Sequence, residues 1–450
     1  MKYRRQTWFT QSAGQLPGQG DRSLVRRAYR PYFLALLVAT TFFYQLDRNV
    51  IFVTQELIKT EFRLSDTELG MVTGLAFGLA NGLAGFPLGW LNDRVNRAKL
   101  LSICVTVWSA MTATCGLAGN FLALCGARFA VGAAESGGTP AIFSILTDLY
   151  PPHLRSSKMG IVSAGYGAGT IVSALAGSYV AAHFGWRAAF LLCGAPGLVL
   201  AFLLVTTVRE PPRTRGTDQV PVPARAVPMA IGQLLVQPGL RVIFLGTALT
   251  SMISTGVYSW WASFIIRVHH VDLPTVGLMS TIALGVCGMI GGVAAGYAAD
   301  WARRRTPGGP LLVMSATSLI NLVFATLAIW TSSTGMMFGA LCFAGATMSA
   351  YVAPRGAALS ELAPGHMRGM AFTIPTVITS LVGVAMGPVA IGGIADMVAA
   401  SGLKVEPLRV GMSCMLLLHV PVACIYIMTA RRMAQRAASD QTARPFSSAV

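Results

Sequence analysis

Charge is what this chain has least of. Only 11% of its 450 residues are Asp, Glu, Lys or Arg, and 17 acids stand against 34 bases. A water-soluble domain carries about 25% charged residues, so the polar share here is too small to cover a soluble body and lipid must do so. Also missing is any Cys-x-x-Cys pair or Cys/His ligand spacing among the eight cysteines, so no metal or cofactor is expected. Cys104, Cys193, Cys287, Cys342, Cys414 and Cys424 lie in apolar runs and read as small core residues, while Cys115 and Cys125 fall near one edge and could pair. No Gly-x-x-x-x-Gly-Lys-Ser/Thr run occurs, which leaves ATP-driven pumping unsupported. A nucleophile–base constellation is lacking too, and with it the case for a membrane enzyme. No apolar stretch precedes Pro31, so a cleaved signal peptide is not expected.

What is there is a series of apolar runs in a chain that is 54% hydrophobic. Spans are expected near 31–56, 67–91, 98–118, 121–148, 156–182, 186–208, 241–267, 275–301, 309–332, 335–361, 367–398 and 407–431. Twelve spans of about 20 residues leave a tail over 1–30, a six-helix half over 31–208, a linker over 209–240, a second half over 241–431 and a tail over 432–450. That leaves no room for the soluble domain a non-transporting sensor would carry. The net charge of +17 is a matter of topology: 25 of the 34 bases fall on the side holding both termini, 6 on the opposite side and 3 inside spans. This asymmetry predicts cytoplasmic termini in a plasma (inner) membrane, and no nucleic-acid partner. A monomer in the bilayer is expected.

The chain also repeats itself. Gly89-Trp-Leu-Asn-Asp93-Arg-Val-Asn-Arg97 and Gly296-Tyr-Ala-Ala-Asp300-Trp-Ala-Arg-Arg304 share one spacing, 207 residues apart. Asp148-Leu-Tyr-Pro151-Pro-His153-Leu-Arg155 recurs as Glu361-Leu-Ala-Pro364-Gly-His366-Met-Arg368, 213 residues on. Two matches at nearly one offset mark a tandem duplication of about six spans.

The Gly-x-x-x-Asp-Arg-x-x-Arg loop after the second span resembles the signature of the major facilitator superfamily. Asp47-Arg48, Arg128-x-x-x-Gly132-x-x-Glu135, Asp148-Leu-Tyr-Pro151, Phe184-Gly-Trp-Arg187 and Arg209-Glu-Pro-Pro-Arg213 resemble its spinster-like branch. Organic-anion symporters of the superfamily share the Asp-Arg and Gly-x-x-Glu elements. The resemblance covers residues 31–431 and departs at Asn96, where the loop usually has Gly, and at Arg355, a charge outside the pattern. It implies the facilitator fold, twelve transmembrane helices in two halves around a central cavity, and lysophospholipid or sphingoid phosphate substrates in some relatives.

Two sets of residues become candidates. The loop acids Asp93 and Asp300 sit at helix ends, and Arg97 with Asp148, and Arg304 with Glu361, are candidate pairs for a cytoplasmic gate. The resemblance implies that Asp93 faces the N-terminus of the eleventh span, where the helix dipole favours a carboxylate. Each exposed pair is worth about 0–1 kcal/mol, weak enough to reopen. The second set lies in the membrane, where ionisable side chains are costly and by default functional: Asp47, Arg48, Arg128, Glu135 and Arg355. A rise of about 1.5 Å per residue puts Asp47 roughly 21 Å and Glu135 roughly 20 Å from the inner ends of their spans. Desolvation favours a neutral acid and a nearby Arg favours a charged one, so these carboxyls are candidate proton carriers. Three arginines against two carboxyls favour an anionic or zwitterionic amphipathic solute, with Tyr44 and one of Tyr258, Trp261 and Phe264 lining the cavity. Arg355 reads equally as gate or pathway, and His419 as a satisfied core histidine. In the eleventh span Gly383-x-x-x-Gly387-Pro388-x-x-x-Gly392-Gly393 reads as close packing in a flexible helix.

Overall fold

The computed structural model describes residues 19–211, 227–363 and 368–442, which are helical almost throughout, with no strand among them. Helices satisfy their own backbone polar groups, as a chain crossing lipid requires. The first half runs through Gln19–Phe62, Asp66–Asn92, Arg97–Gly116, a fourth span in two pieces, Phe121–Glu135 and Gly138–Leu149, and Pro152–Thr207. The last is two spans joined at Gly185, whose φ of 82° lies in the left-handed region that favours glycine. A short helix, Val227–Val236, leads into the second half. There follow Pro238–His269, Leu273–Arg305, Gly309–Trp330, Thr334–Leu362, Arg368–Ile378 continuing to Ala400, and Pro407–Leu417 continuing as His419–Thr442.

The protein is thus twelve transmembrane helices in two sixes around a central cavity. Nine stretches of the described residues are long and apolar enough to cross a membrane. The other three are the first span, which carries Asp47 and Arg48, the fourth, interrupted at Ser136-Gly137, and the second member of the run turned at Gly185. The tails at 1–18 and 443–450, linker residues 212–226 with Arg213, and Pro364 and His366 of the second repeat lie outside the described residues.

Short polar residues start the spans. Ser65 and Glu68 form a reciprocal capping box at the second. Asn120, Asp272 and Ser333 cap the fourth, eighth and tenth. Asn96, the departure from the loop pattern, accepts the Lys99 N–H at 2.8 Å and caps the third. A Gly there would lack that acceptor. Cys115 is buried and Cys125 half-buried, both as free thiols rather than a disulfide, because Cys115 packs into the core between spans.

Burial is distributed unequally along the membrane normal. Away from the termini, one apolar cluster runs through both halves, joining Val50, Ile58 and Leu69 to Val257, Trp260 and Phe264. Toward the termini each half has a core of its own, one around Leu37, Trp108 and Ile145, into which Val384 of the eleventh span reaches, the other around Leu240, Leu311 and Tyr426. The halves are therefore packed together at the far end and apart at the end bearing the termini.

Glycines bring two helix pairs close together along the seam. A Cβ on Gly70, Gly74 or Gly78 of the second span would lie within 2.7 Å of the eleventh span's backbone, and one on Gly82 within 2.3 Å of the Leu381 side chain. A Cβ on Gly85 or Gly89, further toward the termini, would meet no other part of the described residues within 4 Å. In the other pair, a Cβ on Gly277 of the eighth span would meet Ser178 and Ala174 of the fifth. The eleventh-span glycines pack as their spacing suggests, Gly383 and Gly387 on the seventh span and Gly392 on the carbonyl of Asp66. Each of the second, eighth and eleventh spans includes a π-helical turn, at Met71–Leu75, Thr281–Val286 and Thr379–Val384. Such turns are frequent at functional sites.

Candidate functional site

The central cavity has a volume of about 330 Å³ and takes walls from both halves. Arg48, Asn49, Phe77 and Arg128 line it from the first half, and Tyr258, Tyr351 and Pro388 from the second. Phe77 sits between the two arginines: the guanidinium carbons of Arg48 and Arg128 each lie 4.9 Å from its ring centroid. A cation over an aromatic face is attracted by the ring quadrupole without forming a hydrogen bond. Gly132 makes this possible, because a Cβ there would come within 2.3 Å of the Phe77 carbonyl oxygen. The Arg128-x-x-x-Gly132 spacing thus puts the cation one helical turn from the close contact that brings it to Phe77.

Arg48 donates to the Tyr44 hydroxyl at 3.1 Å, and the Tyr44 ring is held edge-on between Trp108 and Tyr166. Arg128 is 1% exposed, and none of its three guanidinium nitrogens has a hydrogen-bond partner among the described residues. The carboxyl oxygens of Asp47 and Glu135 are likewise buried without a hydrogen-bond partner among the described residues. Consecutive helical residues point about 100° apart. Hence Arg48 faces the cavity while Asp47, fully buried, turns into the first half and does not line it.

Glu135 lines a second chamber, of about 540 Å³, with Tyr44, Asn81, Thr139, Thr376 and Ser380. Phe77 and Asn81, one turn apart on the second span, divide the chambers. Asn81 donates to the Gly132 carbonyl at 3.0 Å and accepts from Ser380 of the eleventh span at 2.8 Å, so this partition ties the two halves.

Of the three aromatic candidates on the seventh span, Tyr258 lines the cavity. Trp261 and Phe264 do not. They pack edge-on against each other at 5.5 Å in the cluster that closes the far end, because three and six residues beyond Tyr258 the span has entered the packed zone. Arg355 is half-buried, lies beneath the Tyr351 ring at 5.2 Å, and falls outside the cavity lining. His419 is satisfied by Ser318 at 2.8 Å and Asn321 at 3.0 Å.

At the end bearing the termini, Arg97 meets Asp148 at 2.5 Å and also Glu210 at 2.6 Å, tying the third and fourth spans to the start of the linker. In the second half Arg303, not Arg304, faces Glu361, at 3.9 Å. Asp300, Arg303 and Arg304 are all exposed, and the turn of one helical residue points Arg303 rather than Arg304 toward Glu361. Asp93 is half-buried where the second span ends.

The contacts between halves at the far end were not marked by any motif. Arg267, closing the seventh span, grips Glu56 at 2.7 and 3.0 Å and Asp66 at 2.8 and 2.9 Å. Lys59 also pairs with Asp66. Asp396 of the eleventh span accepts the backbone N–H groups of Asp66 at 3.0 Å and Thr67 at 2.8 Å, capping the second span from the opposite half. Gln55 donates to the Ser259 carbonyl at 2.8 Å and to Ser263 at 2.5 Å. The available signal was charge balance: Glu56 and Asp66 are acids close in sequence on a side with few bases.

Residues 37–388 match the model of the Major Facilitator Superfamily. The chain is 27% identical to an MFS-type efflux pump of Mycolicibacterium smegmatis, over 84% of this chain and 86% of that protein. It is 23% identical to the probable galactarate/D-glucarate transporter GudP of Escherichia coli, over 83% and 89%. Its structure resembles that of a bacterial homologue of the human lysosomal transporter Spinster in an inward-facing, unoccupied conformation. The TM-score is 0.79 at 27% identity, covering 90% of this chain and 98% of the other.

Proposed function

Since the chain belongs to the Major Facilitator Superfamily, in its spinster-like branch, and is a multi-pass membrane transporter rather than an enzyme, we propose that it carries an amphipathic organic anion through the central cavity by alternating access, coupled to protons at Asp47 and Glu135. The observation that carries this reading is the pair of guanidinium groups flanking Phe77, one of which has no acceptor. A buried cation without a partner is costly, and a carboxylate, sulfonate or phosphate would complete it through the planar donor fork of Arg. Relatives named for galactarate/D-glucarate and for L-galactonate transport support an acid as cargo. Phe52, Phe77, Tyr258, Leu284 and Met348 supply apolar wall for the rest of the solute. A lysophospholipid-like anion is the second reading, favoured by the likeness to the Spinster homologue.

With the termini in the cytoplasm, as the basic asymmetry supports, the packed far end faces outward and the Glu135 chamber lies on the cytoplasmic side. Arg267, Glu56, Asp66 and Asp396 then form the outer gate. Asp93, Arg97, Asp148, Asp300, Arg304 and Glu361 remain the inner gate, with Arg303 added beside Glu361. Protonation of Asp47 or Glu135 removes a negative charge near Arg48 and Arg128, which alters their hold on an anion.

The test is competition in proteoliposomes among sugar acids, lysophospholipids and their uncharged analogues, repeated on Arg128→Gln. The anion is expected to compete best in the parent, and to lose about tenfold or more of that advantage in the variant, the worth of a charge-assisted bond. Equal competition by uncharged analogues in the parent refutes the reading. Which acid competes separates the two substrate classes.

A further inference from the structure

A third cavity lies apart from the transport path. It is a groove of about 490 Å³ between the start of the third span and the end of the sixth, at the membrane edge on the side of the termini. Each wall repeats one arrangement. On the third span Lys99 stands one turn above Ile103, and where the sixth ends Arg209 stands one turn above Val205. All four side chains are exposed, Ile103 by 60% and Val205 by 63%. Leu204 and Val208 complete the apolar floor, and Asn96 and Ser102 add polar edge.

The groove is held in shape from outside itself. The Tyr29 hydroxyl accepts the Arg209 N–H at 2.7 Å and donates to the Arg209 carbonyl at 3.3 Å. The one acid in the lining, Glu210, is engaged on both oxygens: Arg97 donates to one at 2.6 Å and the Ala98 N–H to the other at 2.9 Å. Both oxygens are thus occupied, although Arg97 is shared with Asp148, and the groove presents two cations at headgroup level over aliphatic side chains at acyl level.

We propose that this groove binds an anionic phospholipid from the leaflet on the side of the termini, its phosphate between Lys99 and Arg209 and an acyl chain along Ile103 and Val205. Charge complementarity favours an anionic headgroup over a zwitterionic one, because juxtamembrane Lys and Arg each contribute separately to attraction by anionic lipid. The apolar floor favours a lipid over a free phosphate, which would gain nothing from Ile103 or Val205. The site is independent of the cargo bound in the central cavity.

The full-length chain, purified and delipidated in a neutral detergent, is offered phosphatidylglycerol, phosphatidylcholine of the same chains, or glycerol 3-phosphate, and retained adducts are counted by native mass spectrometry. The parent is expected to retain phosphatidylglycerol above the other two. Lys99→Gln and Arg209→Gln are each expected to cost about fivefold in that preference. Exchanging the cations, Lys99→Arg with Arg209→Lys, should keep it, which separates loss of charge from damage to the fold. Equal retention of phosphatidylcholine, binding of glycerol 3-phosphate as strong as that of the lipid, or an undiminished preference in the doubly neutralised protein would each overturn the proposal.

Discussion

Arg48 and Asp47 are neighbours in sequence that the helix sends in different directions, one toward the central cavity and one into the first half. In the proposed coupling a proton on Asp47 would therefore act on the cavity through the charges near it rather than by touching the solute. Glu135 is placed otherwise, since it lines the chamber next to the cavity. Asp47→Asn and Glu135→Gln are each expected to flatten the pH dependence of uptake into proteoliposomes, because an amide cannot ionise. A variant that transports with the parent's full pH profile removes its residue from coupling. These charges were legible in the sequence because lipid makes them costly. Phe77 was not, since one phenylalanine among 21 carries no mark of its own. Its role appears only when Gly132 brings the fourth span onto the second. Nor could the sequence separate Tyr258 from Trp261 and Phe264, because the choice depends on where the halves cease to be packed.

At the scale of the helix, glycines set how closely two spans approach. Gly78→Ala puts a methyl 2.5 Å from the Ala385 nitrogen of the eleventh span, and overpacking of this kind costs about 1–3 kcal/mol. Its melting temperature in detergent is expected to fall. Gly89→Ala, with open space beside it, is expected to match or exceed the parent, since Ala is the better helix former by about 1 kcal/mol. Equal losses in the two would mean that glycine serves helix flexibility there, not contact. The twelve spans were readable from apolar runs and the duplication from two loop motifs, because both are local patterns. The π-helical turns in the second, eighth and eleventh spans were not readable, as their residues fit an ordinary helix equally well. The regular Gly70, Gly74, Gly78 and Gly82 spacing was there to be read, and its partner is the eleventh span.

For the whole molecule, the sequence pointed to the ion pairs at the end bearing the termini, whereas the structure is held at the other. Duplicated motifs drew the reading to the loops they occupy, while Arg267, Glu56, Asp66 and Asp396 come from four spans and recur in no pattern. Arg267→Gln strips two carboxylates of their shared cation. The variant is expected to expose a cysteine placed at Ser254, in a background free of the eight native cysteines, to an impermeant thiol reagent applied from the far side. Unchanged labelling would show that apolar packing alone keeps that end shut. The row of glycines on the second span gives this closure a counterpart. Four of them bear on the eleventh span, while Gly85 and Gly89 continue the same face with nothing against it. The second span thus offers a track longer than the stretch now in use, and the alternating access proposed above would carry the eleventh along it as a wheel rolls on a rail. On that proposal the fulcrum of the transporter is no fixed point: as it travelled toward Gly89 one mouth would narrow and the other widen, and the length of the track would limit how far either could open.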